Sequence, residues 1–202
     1  MSLETKTRLK RLSVTVLGIM LLGSGVGLAT AAEIGSDCMA SFCEVMSERL
    51  GFITIGQLTT LIELGMLIYA FIMERKTVGI GSFLAMLLVE FPIDLAYGSV
   101  PRTENYMIRI IYVLIGIVLI SFGAELIVHA GLGMGSYEAF MYTFVYRKGW
   151  KFTYVKYVCD SIFLLLTILL KGHVGTGTVL TYLLVPKCME LASSLIRKIR
   201  FE

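Results

Sequence analysis

The chain has 202 residues, of which 56% are hydrophobic and 16% charged, with a formal net charge of +3 and a mean hydropathy of +0.81. An ordinary soluble domain carries about 25% charged residues, so a water-soluble globule is excluded. The basic residues form short clusters beside apolar runs, which argues against a nucleic-acid-binding surface.

Lys6, Arg8, Lys10 and Arg11 precede the first apolar run, Leu12 to Ala31. A helix rises about 1.5 Å per residue, so about 20 such residues cross the roughly 30 Å of hydrocarbon in a bilayer. This start also mimics a secretory signal, with Ala29-Thr30-Ala31 as a cleavage-like site. A matching stretch, Leu114 to Ala130, lies mid-chain and cannot be a signal, so the run is expected to stay as the first span. A mixed stretch from Gly35 to Leu50 follows, then apolar runs over Phe52 to Met73, Val78 to Tyr97 and Ile108 to Ala130. A second mixed stretch, Gly133 to Lys148, precedes the runs Phe152 to Leu170 and Val174 to Leu195. Arg197, Lys198 and Arg200 follow the last run.

Basic flanks at both ends predict that both termini face the cytoplasm. The mixed stretches can lie in the interface, re-enter the membrane or cross it as short spans. With six spans, Arg75, Lys76 and the set Arg147, Lys148, Lys151 and Lys156 count as cytoplasmic. The excess of basic residues inside is nearly the same with eight spans, so charge alone does not choose. The expected fold is all-α, a polytopic membrane protein of six transmembrane helices plus two short re-entrant or interfacial helices. It forms a single transmembrane domain over residues 1–202.

The chain also repeats itself. Val78-Gly79-Ile80-Gly81-Ser82-Phe83-Leu84 recurs 96 positions on as Val174-Gly175-Thr176-Gly177-Thr178-Val179-Leu180, and Asp94-Leu95-Ala96 as Glu190-Leu191-Ala192. Gly18-Ile19 and Gly25 align with Gly116-Ile117 and Gly123, 98 positions on. Two internal repeats, 12–98 and 107–196, are therefore expected. Three spans per unit make such repeats inverted and four make them parallel; the inverted form is expected here, with a site between the repeats.

Chemistry must come from polar residues inside the spans, because a charge at the bilayer centre costs at least about 2.5–3.5 kcal/mol. The substrate or ion pathway is expected to use Glu63, Asp160, Asp94, Glu190, Glu125 and His129. Asp94 and Glu190 are 96 apart and Glu63 and Asp160 are 97 apart, so an acid stands in both copies of both positions. Glu125 and His129 are four apart and share a helix face, as a proton-exchanging or a structural pair. Glu90 and Pro92 suggest a kinked third span, and Lys187 can neutralise a carboxylate. Gly79, Gly81, Ser82 and Gly175, Gly177, Thr178 read in two ways. Small residues let helices approach closely, and helix starts can present free N–H groups to a ligand. Cys38, Cys43, Cys159 and Cys188 lack metal-site spacing and are expected to be free thiols. No nucleophile–base or metal constellation is visible, so neither an enzyme nor a cofactor is expected.

Ala130-Gly131-Leu132-Gly133, followed by an apolar helix, together with the two Gly-x-Gly-Ser/Thr motifs and their downstream acids, resembles the YczE/YyaS/YitT family of bacterial membrane proteins. That family typically shows AGLG and GTxxNxxxxGxxxD. Here Cys38 and Ser136 stand where Pro is common, Ala85 and Thr181 where Asn is common, and Glu90 and Pro186 where Gly is common. The resemblance implies a multi-pass plasma-membrane protein with transport as its expected activity. The resulting expectation is a permease for a small solute, coupled to protons, its carboxylates shifted by burial toward proton exchange near neutral pH. The alternative is a non-transport partner or assembly factor for an enzyme complex. Expected partners are the lipid bilayer and a small molecule or ion, with a homodimer open and no nucleic acid.

Overall fold

The computed structural model describes residues 3–35 and 37–198. Ser36 of the first mixed stretch and Arg200 of the basic tail lie outside the described residues. The fold is all-helical. Its elements are α1 (Leu3–Ala31), α2 (Cys38–Leu50), α3 (Ile55–Met73), α4 (Ile80–Leu88), α5 (Glu90–Ser99), α6 (Tyr106–Ala130), α7 (Ser136–Lys148), α8 (Phe152–Leu169) and α9 (Thr176–Ile196).

Among the described residues, six helical stretches are long and apolar enough to cross a membrane: Thr5–Ala31, Ile55–Met73, Ile80–Ser99, Tyr106–Ala130, Phe152–Leu169 and Thr176–Ile196. The third combines α4 and α5, which part at Val89. Pro92 has no N–H for the Leu88 carbonyl and its ring crowds that oxygen, so the helix breaks there. The mixed stretches become α2 and α7, 13 residues each. At 1.5 Å per residue they reach only about 20 Å, too short for the hydrocarbon layer.

Local chemistry sets these ends. Asp37 caps α2, accepting from Met39 N at 3.0 Å and Ala40 N at 3.1 Å. Thr54 and Gln57 form a capping box at the start of α3. Gly51, Gly131 and Gly149 close α2, α6 and α7 in the left-handed region, where a Cβ is disfavoured.

Packing fixes the helix directions. A Cβ built on Gly18 would lie 2.8 Å from the Gly123 oxygen, and one on Gly25 would lie 2.7 Å from the Gly116 oxygen. Position numbers rise on α1 as they fall on α6, so these helices run antiparallel. Gly23 meets Val89 and Pro92 while Gly27 meets Ile93 and Ala96, so α1 and α5 run the same way. Six crossings require both relations, and eight would reverse both. The α1–α6 seam is the largest helix–helix contact, closed by small residues as expected in lipid.

The Gly-x-Gly motifs make two matching contacts with the other half of the chain. Gly81 N donates to Leu132 O at 2.7 Å, and Gly177 N donates to Ile34 O at 2.7 Å. Both donors belong to the first turn of a helix, where N–H groups lack intrahelical partners. Ser82 caps its own turn by accepting from Gly79 N at 3.2 Å. Ser82 and Thr178 are fully buried, and Gly175 abuts Ile34. These N–H groups point at protein carbonyls, which makes the motifs packing and capping devices.

Candidate functional site

The two short helices place their N-terminal ends deep in the bundle. Along α2 and α8 the contacts ascend together: Phe42 stacks near Phe163 at 5.6 Å, and Arg49 Nη2 donates to Leu170 O at 2.7 Å. At the other end Asp37 interacts electrostatically with Lys156 and Asp160, halfway along α8. α7 follows α3 in the same manner, with Tyr69 against Phe140 at 5.3 Å and Arg147 Nη1 donating to Met73 Sδ at 3.1 Å. Its first turn carries Glu138, which interacts with Glu63 halfway along α3. Each short helix thus starts level with the middle of a span and ends at one extremity of the bundle, and the two end at opposite extremities. This is the re-entrant arrangement among the expected possibilities.

Helix starts carry a positive partial charge from unsatisfied N–H groups. Carboxylates sit on both. Asp37 is the N-cap of α2, and Glu138 folds back over Gly135, where its Oε2 occupies the space a Cβ there would need. Asp160 is 5% exposed and accepts from Tyr137 Oη at 2.6 Å. Lys156, 8% exposed, pairs with it through Nζ at 3.3 Å from Oδ1 and 3.1 Å from Oδ2. The ammonium also stands 4.9 Å from the Tyr137 ring centroid. Lys156 further interacts with Glu138 and Asp37, and Glu63 with both of those acids. Three carboxyl groups therefore gather around one ammonium, and Glu63 joins them through Glu138 and Asp37. Asp37 is exposed on the bundle surface although it lies level with the buried Asp160. A negatively biased cluster of this kind, built on the buried Asp160–Lys156 pair, attracts protons or a cation.

The cluster unites Glu63 and Asp160 through shared neighbours. Asp94 and Glu190 are exposed and stand apart from it, Glu190 accepting from Thr153 at 3.0 Å. Glu90 is exposed and reaches the cluster only through its interaction with Glu63. Lys187 is exposed. Glu125 and His129 form a separate contact within α6, with Nδ1 3.3 Å from Oε2. Cys38, Cys43, Cys159 and Cys188 are free.

One reading needs correction: Lys156 is buried in α8 against Asp160, and so is not a loop charge. Its four-residue spacing from Asp160 was the available signal, since such pairs share a helix face. Tyr137 and Glu138 carry no comparable sequence signal. Their part in the cluster depends on the depth at which α7 begins.

The profile of a family of unknown function, DUF6198, matches residues 9–194. The chain is 30% identical over 170 residues to the uncharacterized membrane protein YczE of Bacillus subtilis, covering 83% of this chain and 78% of that protein. It is 26% identical over 170 residues to the uncharacterized protein YyaS of the same organism, covering 82% and 83%. An uncharacterized protein of Haemophilus influenzae is 26% identical over 171 residues, covering 85% and 78%. No solved structure matches the chain.

Proposed function

This chain belongs to the DUF6198 family of membrane proteins, and from that premise we propose a plasma-membrane permease for a small cationic solute, coupled to protons. The observation that carries the reading is the meeting of two half-helix starts near mid-span, with Asp37, Glu138 and Asp160 around Lys156 and Glu63 beside the first two acids. Discontinuous helices that end at mid-membrane are the usual construction of a transporter site. Holding three carboxyl groups near one ammonium, with Asp160 buried and Glu63 beside two of the acids, is expensive unless protons or a cation complete the charge.

The reading includes two inverted repeats, each of three spans and one half-helix, with both termini cytoplasmic. Support comes from the paired contacts, since Gly81–Leu132 and Gly177–Ile34 use positions 96 and 98 apart. The antiparallel α1–α6 seam supports it as well, because Gly18 and Gly116 are 98 apart, as are Gly25 and Gly123. A twofold axis across an antiparallel pair lies in the membrane plane, which is the inverted case.

The test is uptake of labelled methylammonium and guanidinium by proteoliposomes containing the full chain, under an imposed pH gradient. Uptake that follows the gradient and disappears in Asp160→Asn and Glu63→Gln is expected. Unchanged uptake in both variants refutes the site. Absence of uptake for every small cation, with stoichiometric co-purification of an enzyme complex, favours the assembly-factor alternative.

A further inference from the structure

Glu125 is 1% exposed, and its Oε2 has no hydrogen-bond donor among the described residues. A buried acceptor without a donor is costly, so its retention calls for an explanation. His129, one turn on, places Nδ1 3.3 Å from that oxygen and 2.8 Å from the Glu125 backbone carbonyl. The single Nδ1 position thus faces two acceptors, and the carbonyl takes the better geometry. The His129 side chain is 18% exposed, so the ring reaches outward while the carboxylate is sealed.

The inner neighbour of Glu125 is Glu138 of the mid-bundle cluster, which interacts with it electrostatically. The other groups facing the pair are Tyr142 on α7, which interacts with Glu125, and Arg197 after α9, which interacts with His129; Arg11 on α1 lies by Gly131, two residues beyond His129. The corresponding positions in the first half, 98 residues earlier, are Gly27 and Ala31. Neither can take over the role: Ala31 is buried and apolar, and a side chain at Gly27 would collide with the Ile93 carbonyl. The titratable pair therefore breaks the likeness between the halves.

We propose that Glu125 and His129 form a one-sided proton route, joining the mid-bundle carboxylates to the face where α1 begins and α6 ends. Its use in coupling rests on the permease reading; its existence does not. His129 takes a proton from water at Nε2 and releases the Nδ1 proton to Glu125 Oε2, which leaves a neutral ring and a neutral carboxyl. Glu125 then passes that proton through a water molecule to the Glu138 carboxylate and becomes an anion again. Once the ring returns from the Nε2–H to the Nδ1–H tautomer by proton exchange with water, the sum is one proton moved from the aqueous phase to Glu138.

The full-length protein in proteoliposomes of sorted orientation, adsorbed on a solid-supported membrane, tests this without any solute. A pH drop through the histidine range is applied to the outer face, and the transient charge displacement is recorded. Vesicles presenting the α6 end outward should give a displacement at least about tenfold larger than inverted ones, since a proton without a route meets apolar core. Glu125→Gln and His129→Gln should each remove it, while Asp94→Asn should keep it. Equal displacement from both faces, or full displacement in Glu125→Gln, overturns the route. If Glu125→Gln does not fold, His129→Gln decides alone. One-sided displacement together with no cation uptake sinks the permease reading and leaves the route standing. Gradient-driven uptake with two-sided displacement does the reverse.

Discussion

Gly123→Ala probes the seam on which the whole arrangement hangs. The added methyl would stand 2.4 Å from the Leu22 nitrogen and 2.6 Å from the Gly18 oxygen, against the 3.4 Å at which ordinary contact begins. The nearest atoms are backbone of α1 at Gly18 and Leu22, which cannot rotate away. The two helices must therefore part by roughly 1 Å, and a gap of 0.5–1 Å forfeits about a quarter to a half of each contact's attraction. Overpacking of this kind costs about 1–3 kcal/mol, partly offset by the roughly 1 kcal/mol that alanine gains over glycine in a helix. A net loss of up to about 2 kcal/mol lowers the melting temperature by up to about 4–8 °C for a chain of this size. Gly65→Ala is the matched control: nothing lies within 4 Å of its Cβ position, so the propensity gain is unopposed. Thermal unfolding of the detergent-solubilised protein, followed by a thiol-reactive dye at the buried Cys38, Cys43 and Cys159, reads both. Gly18→Ala combined with Gly123→Ala should cost less than the sum, because one separation relieves both clashes. Equal melting temperatures for Gly123→Ala and Gly65→Ala would refute the close approach of α1 and α6.

Lys156→Met should destabilise by about 3–5 kcal/mol, since it strands a buried carboxylate, and adding Asp160→Leu should restore most of the loss; the same melting assay checks this, and no recovery in the double variant would mean that Lys156 acts through something other than Asp160. Cysteines introduced at Lys76 and Arg102 should label from the cytoplasmic and the outer side respectively, and the reverse pattern would exclude six crossings with cytoplasmic termini.

Sequence alone determined the membrane class, the two short helices after the first and fourth spans, and the six spans to within a few residues, except that the first helix begins at Leu3 and not at Leu12. Those features follow from length and hydropathy summed over a window, and summation tolerates errors at single residues. The kink at Glu90 and Pro92 was legible for a local reason too, since proline removes a specific backbone donor. Whether the short helices cross or re-enter was not legible, because charge counts balance; contacts between residues far apart in the chain decided it, Gly18 with Gly123 and Gly23 with Pro92. The cluster was half legible. Glu63 and Asp160 stood out as deep acids, yet Asp94 and Glu190 looked equivalent and turned out exposed. Lys156 was hidden among loop charges, and Asp37, Tyr137 and Glu138 joined it only because α2 and α7 begin halfway along α8 and α3. The side a residue faces on an apolar helix depends on its neighbours, and on helices apolar nearly all round the sequence pattern hardly marks that side. Tertiary packing alone selects which buried charges meet.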